Sequence, residues 1–335
     1  MRLRKAAAVA ASMLMMLVFI KMNGNVTSFL ESVKQGDAIA AMAQASGFTD
    51  SEKKELYEAI IAEAGTRSEE PVDARIDRVW HAIPGYNGLA VDIEQTYEAA
   101  LKAPRSSPIP YRYREVPPKI SLEQLGPQPI YRGNPNKKMI SLMINVAWGN
   151  EYIEPILKTL EQKGVKATFF LDGSWLKKNV DLAKKIQEAG HELSNHAYSH
   201  PDMANLSRSL QYTQIAKTEE LLKNLLGVEN KWFAPPSGSY NAATVQIARE
   251  QGLGTVMWTI DTVDWRKPPA DAVIRKISSK LEPGSLILMH PTATTRDALA
   301  GMIDSATAKG YAIGTVSETL SPERIVTLVE GADVF

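Results

Sequence analysis

The sequence predicts an α/β chain: a deformed (β/α) barrel of about seven parallel strands, preceded by a small all-helical domain and an N-terminal membrane anchor. Three observations carry this reading. Apolar strand-like runs alternate with helical stretches from Lys138 onward, which implies a parallel sheet or barrel. A basic flank followed by an uncharged, mostly apolar run opens the chain. Short amphipathic stretches of helical spacing fill the region between them.

Arg2, Arg4 and Lys5 precede the apolar run Ala6 to Ile20, which Lys21 closes. That run has the length of a signal-peptide core and is short for a membrane span. The bulky Phe19-Ile20-Lys21-Met22 offers no small-x-small cleavage pattern, and a chain without cysteine has no lipobox. Residues 1–25 therefore read as an uncleaved signal-anchor with its positive end inside. The rest of the chain is then membrane-anchored and extracytoplasmic.

Residues 26–103 read as a helical N-terminal domain. Thr49 and Glu52 form a capping box ahead of Leu56, Ile60 and Ile61. Pro71 sits where a first-turn proline belongs, before Val72, Ile76, Val79, Trp80 and Ile83 at helical spacing. Ile93, Tyr97, Ala100 and Leu101 make a third stripe, and the isolated His81 reads as structural. Eight of the 19 prolines lie between Pro104 and Pro135, so residues 104–137 read as a stiff, extended linker.

Residues 138–335 form the α/β domain. Its strand candidates are Met139–Val146, Lys166–Leu171, His191–Asn195, Lys231–Ala234, Thr255–Thr259, Ser285–Met289 and Ala312–Thr315. Helical stretches such as Asp181–Ala189, Leu206–Leu226, Ala242–Gln251 and Ala270–Leu281 separate them. Gly164, Gly190, Gly252, Gly284 and Gly310 punctuate the joins.

Composition removes several function classes. Lys+Arg and Asp+Glu are both 38, so the net charge is zero and no uncompensated basic face is available for nucleic acid. The absence of cysteine excludes disulfide scaffolds, Cys-ligated zinc, iron–sulfur sites and thiol nucleophiles.

In a βα barrel the chemistry clusters at the C-terminal rim of the strands. Asn145, Val146 and Trp148 follow the first strand here, and His196 and His200 the third. Pro235 and Pro236 follow the fourth, Asp261, Asp264 and Trp265 the fifth, and His290 the sixth. Three of the five histidines thus share one rim. A His-x3-His pair is a metal half-site that needs a third ligand, often a carboxylate.

His191 to Pro201, Asp261 to Trp265 and Leu286 to Pro291 resemble three motifs of the polysaccharide deacetylases, the NodB-homology group or carbohydrate esterase family 4. Lys166 to Leu171 is similar to that family's second strand. The resemblance covers roughly residues 138–320. Ala147 to Glu151 and the anchor look most like a sporulation-associated, YlxY-like branch of spore-forming bacilli. The resemblance implies a deformed barrel and metal-dependent removal of N-acetyl groups from glycans built on N-acetylglucosamine, such as chitin and peptidoglycan. It implies a metal-polarised carbonyl, a carboxylate base and a histidine acid. His196 and His200 would be metal ligands and His290 the acid, tuned by Asp261 or Asp264. Leu288, Pro235, Pro236, Trp265 and Trp148 would line the substrate groove.

The sequence departs from this pattern in its first and third motifs. The family's Thr-Phe-Asp-Asp-Gly becomes Met143-Ile144-Asn145-Val146, with Ala147 and Trp148 inserted before Gly149. Neutral Asn145 stands in the base position, and Val146, without a donor atom, in the ligand position. Ala234 replaces the arginine that orients the base. A divalent metal (zinc, cobalt or nickel) is then held by two histidines or not held at all. Glu151 is the nearest carboxylate. Trp232 and Trp258 read as core strand residues. Two functions follow from this: a deacetylase with an altered metal shell, or a pseudoenzyme that binds glycan or a partner.

Overall fold

The computed structural model describes residues 47–325. The signal-anchor over 1–25 lies outside the described residues, among which no helix is long and apolar enough to cross a membrane. The chain divides into two compact units. Among the described residues, one comprises 47–68 and 90–114, and the other comprises 69–89 and 115–325.

The smaller unit holds helices α1 (Asp50–Ala64) and α2 (Ile93–Lys102). The capping box forms: Glu52 donates its N–H to the Thr49 hydroxyl, and the Glu52 carboxylate accepts the Thr49 N–H at 2.6 Å. Ile60, Val91 and Tyr111 make its core.

The stretch after Pro71 is not a helix. It forms a hairpin of β1 (Arg75–Asp77) and β2 (His81–Ile83). A helix needs one buried face, and Ile76 and Val79 are both exposed. Pairing partners elsewhere in the chain win instead: Val72 exchanges backbone hydrogen bonds with Tyr86, and Ala82 donates to Pro129. The apolar spacing there was helical without a helix to serve.

The larger unit is built on an eight-stranded sheet. Its strands are β3 (Met139–Val146), β4 (Thr168–Leu171), β5 (Glu192–Asn195), β6 (Trp232–Phe233), β7 (Gly254–Thr255), β8 (Ile260–Asp261), β9 (Leu286–Met289) and β10 (Ala312–Gly314). The order is β8-β9-β3-β4-β5-β6-β7, with β10 also paired to the start of β3, and every pairing is parallel. This is the predicted deformed barrel. Every residue of β3 is buried, as expected of a central strand covered on both faces.

Helices α3 (Asn150–Gln162), α4 (Gly173–Lys178), α5 (Val180–Glu188), α6 (Arg208–Leu226), α7 (Ala242–Glu250), α8 (Ala270–Lys280), α9 (Ala293–Ala308) and α10 (Val316–Leu320) complete the unit. Ile144, Val146, Phe169, Leu171, Ile287 and Met289 pack in one core cluster with helical side chains such as Ile153, Ile186, Ile277 and Leu299. Met143, Phe170, Ala234, Val256 and Leu286 fill a second cluster. All five punctuating glycines have positive φ.

The predicted fifth strand, Thr255–Thr259, is cut short, and its chain restarts as β8. Trp258 therefore lies between strands and is only partly buried, whereas Trp232 is buried as expected. The sheet path leaves β7 and β8 unpaired with each other. The proline-rich stretch bridges that gap: Ile130 pairs with Val256, Arg132 with Ser285, and the Tyr131 carbonyl accepts the Thr259 hydroxyl at 2.7 Å. Residues 128–132 thus strap the barrel seam.

Candidate functional site

His196, at the end of β5, is completely buried. Its Nδ1 donates to the Ala234 carbonyl at 2.7 Å, which leaves Nε2 as the free ring nitrogen. Burial, then the neighbouring His200, drives its pKa down to about 3, so the ring is neutral at ordinary pH. His200 stands edge-on to it, with ring centroids 5.2 Å apart. Ala197 and His200 both adopt positive φ, so the loop between the histidines is held in a sparsely populated conformation.

His290, Asp264 and Thr295 form a hydrogen-bonded set. His290 Nδ1 lies 2.9 Å from Asp264 Oδ1, and its backbone N–H donates to Asp264 Oδ2 at 2.6 Å. The Thr295 hydroxyl donates to the same Oδ2 at 2.5 Å. Of the two candidate aspartates, Asp264 is the partner of His290. Asp261 instead accepts the Val263 N–H at 2.7 Å and shapes its own turn. Thr295 has no sequence signal of its own, because it lies a full turn away on α9.

The positions that the resemblance assigns to the base, a ligand and the orienting arginine carry no ionisable group. Asn145 is buried at the end of β3, and its Oδ1 has no partner within the protein. Val146 is fully buried, in the cluster shared with Ile153 and Leu171. Ala234 is fully buried in the second cluster, with its carbonyl given to His196. Glu151 is exposed on the first turn of α3.

One buried carboxylate at this rim went unrecognised in the sequence. Asp172 follows β4, donates its backbone N–H to the Val146 carbonyl at 2.9 Å, and caps α4 through Oδ1. Its Oδ2 is buried without a partner, and burial raises its pKa. Its signal was the Asp-Gly-Ser turn directly after a strand.

Trp148 and Trp265 stand out from the rim at 47% and 50% exposure. The Trp148 indole lies nearly parallel to the His290 imidazole, at 8° and 6.1 Å between centroids. The Arg266 guanidinium covers one face of Trp265 at 4.7 Å. Gly149, at φ 83°, lets the inserted pair turn into α3, since a Cβ there would meet the Pro291 carbonyl at 2.1 Å. Leu288, Pro235 and Pro236 are buried. Trp175 is core, its Nε1 donating to Asn150 Oδ1 at 2.6 Å.

Among the described residues, no three His, Cys, Asp or Glu side chains come together in a way that would hold a metal. His196 and His200 supply two imidazoles, one ligand short of the three-ligand catalytic site that zinc and its neighbours use. The residues present do not fit the family's metal.

Comparisons with known proteins agree with the fold and the motifs. The polysaccharide deacetylase family pattern matches residues 132–256. The chain is 46% identical over 290 residues to the uncharacterized protein YlxY of Bacillus subtilis, across 87% of this chain and 91% of that protein. It is 36% identical to a peptidoglycan-N-acetylglucosamine deacetylase of Bacillus cereus, across 60% of this chain and 70% of the relative. The crystal structure of BA3943, a family 4 carbohydrate-esterase pseudoenzyme from Bacillus anthracis, is similar with a TM-score of 0.74 at 44% identity, over 81% of this chain and 96% of its own. A BA3943 mutant described as having restored enzymatic activity matches with the same TM-score at 42% identity, over 81% of this chain and 99% of its own. The chain therefore belongs to the polysaccharide deacetylase family.

Proposed function

We propose that this protein is a pseudoenzyme of its family, which binds glycan containing N-acetylglucosamine at the outer face of the cell membrane without deacetylating it efficiently. The observation that carries the reading is the state of Asn145 and Val146. A neutral amide and a buried valine stand where the motif alignment puts the base and a metal ligand. Loss of a general base alone costs ~10²–10⁴-fold in rate, before any loss of metal. The similar BA3943 is itself named a pseudoenzyme, and another relative is named for peptidoglycan N-acetylglucosamine. The exposed Trp148 and Trp265 supply flat apolar faces of the kind sugar rings stack on. The apolar run Ala6 to Ile20 supports an anchored, extracytoplasmic location, and the likeness to the YlxY branch supports a role in sporulation or envelope assembly.

The test pairs two measurements on the purified protein. Acetate release from N-acetylglucosamine oligomers, with zinc, cobalt or nickel added, should stay near the blank. Co-sedimentation with peptidoglycan should retain the protein. Robust acetate release would sink the proposal and favour an active deacetylase with an altered metal shell. The intact His290–Asp264 pair is the observation in favour of that second reading. A stoichiometric ion in the purified protein would support it.

A further inference from the structure

The β1–β2 hairpin carries the two most exposed aliphatic side chains among the large hydrophobic residues described: Val79 at 69% and Ile76 at 58%. A third, Ile120, is joined to the base of the same hairpin. Its carbonyl accepts the Ala74 N–H at 3.0 Å, and its own N–H donates to Asp73 Oδ1 at 3.0 Å. Arg75, Arg78 and Lys119 flank these three side chains. All three cations are exposed, and none forms an ion pair among the described residues.

The tip is braced so that it cannot fold its apolar side chains inward. Asp77 Oδ1 accepts the N–H groups of Val79 and Trp80, at 2.8 and 2.9 Å. The Arg132 guanidinium lies over the Trp80 ring at 5.3 Å, and the His81 ring stacks on Tyr131 at 5.7 Å. Polar residues at 76 and 79 would serve this turn equally well, because neither side chain packs into a core cluster. The projecting aliphatic pair is therefore not needed to pack this fold and is free to meet something outside it.

We propose that this hairpin is a peripheral membrane contact, with Ile76, Val79 and Ile120 entering the headgroup region of an anionic phospholipid surface. The feature is a convex tip, which suits insertion between lipids better than the clasp of a peptide. Aliphatic side chains enter the acyl boundary while arginine and lysine meet the phosphates. Asp73 and Asp77 lie in the same stretch, with oxygens turned to backbone N–H groups. Three cations against two carboxylates leave the tip net positive. Apolar insertion carries the contact, and the charge sets the preference for anionic lipid. The proposal is separate from anchoring by the N-terminal run, and its test distinguishes the two.

The chain contains no cysteine, so Val79→Cys creates a single labelling site. Full-length protein carrying an environment-sensitive fluorophore there is mixed with vesicles of phosphatidylglycerol and phosphatidylcholine. The expected result is a blue shift and quenching by nitroxide-bearing lipid. The same label at the exposed Lys223 of α6, as Lys223→Cys, should stay water-like. Arg75→Gln/Arg78→Gln should weaken the response at 79 roughly fivefold per charge removed, as should a change to phosphatidylcholine alone. A label at 79 that stays in water on vesicles carrying bound protein would overturn the proposal and leave N-terminal anchoring standing. An equal response in neutral vesicles would overturn the assignment to anionic lipid. Failure of the full chain to bind vesicles at all would overturn both the contact and the anchor.

Discussion

Asp264 holds His290 at two points, accepting the ring Nδ1–H with one carboxylate oxygen and the backbone N–H with the other. The Thr295 hydroxyl adds a third hydrogen bond from α9. The carboxylate is wholly buried, so it joins the turn after β8, the end of β9 and the start of α9. This gives the pair a structural role independent of catalysis. It is a physical reason to keep His290 and Asp264 whether or not the rim is catalytic.

Asp264→Ala should therefore destabilise the protein by about 3 kcal/mol, the cost of stripping a buried charge-assisted network of its centre. Asp264→Asn keeps the shape and should cost less. Urea midpoints of both variants check this. Equal midpoints for wild type and Asp264→Ala would remove the structural explanation.

Acid should weaken the fold through two neutral, buried histidines. Burial lowers His191 from 6.5 to about 4 and His196 from 6.5 to about 3. Their folded-state values lie below the unfolded one, so the unfolded chain takes up protons first as pH falls. Their stabilising contribution is complete above pH 6.5 and is lost from there down to about pH 3. At pH 5 each histidine costs about 2 kcal/mol relative to neutral pH. Denaturation of wild type and His191→Gln at pH 7 and pH 5 should show a shallower acid loss in the variant.

Restoring the base half is harder than the alignment alone suggests. Asn145→Asp keeps the shape of the side chain, but it puts a carboxylate into a buried site whose oxygen already lacks a donor, so it should cost stability unless a counter-charge is added. Val146→Asp should fold poorly, because it puts a carboxylate into the apolar layer against Ile153 and Leu171. Deleting Ala147 and Trp148 together with Asn145→Asp/Val146→Asp should remove the inserted pair from the loop that follows both carboxylates. That variant should gain acetate release where the plain double variant gains little. A plain double variant as active as the deletion variant would show that the inserted pair is no obstacle.

Ala234→Arg should show strong non-additivity. Alone, a guanidinium in the cluster of Met143, Phe170 and Val256 costs several kcal/mol. Combined with Asn145→Asp it finds a counter-charge, and part of that loss should return. A double-mutant cycle of thermal midpoints reads the coupling, and additive losses would mean that the two positions do not meet.

Glycan retention should depend on the rim tryptophans. Trp148→Ala and Trp265→Ala should each weaken binding to N-acetylglucosamine oligomers by about tenfold, or ~1.4 kcal/mol. Titration calorimetry measures it directly, and unchanged affinity in both variants would move the glycan site elsewhere.

The barrel was legible because its cues are local and repeated. Apolar runs such as 139–146 and 286–289 alternate with amphipathic helices, and glycines close each join. The acid set was half legible: His290 and two aspartates stood out, while the choice of Asp264 over Asp261 required the fold. Val146 stands at the ligand position that the resemblance implies, and only the fold shows that its side chain is packed with Ile153 and Leu171. The hairpin at 75–83 was misread because helical spacing of Val72, Ile76, Val79 and Ile83 mimicked a stripe. What decided that segment was pairing with residues far away in sequence, which periodicity does not encode.

The strap at 128–132 also sets the order in which this protein can fold. Its hydrogen bonds join Tyr131 to Thr259 and Arg132 to Pro283, separations of 128 and 151 residues. Closing such loops is entropically slow, so the seam forms after the βα units have paired locally. During synthesis the strap leaves the ribosome early and waits for Val256 and Ser285 to be made. Until the seam closes, β7 and β8 present open strand edges to their surroundings, which makes the unsealed barrel the species most exposed to aggregation.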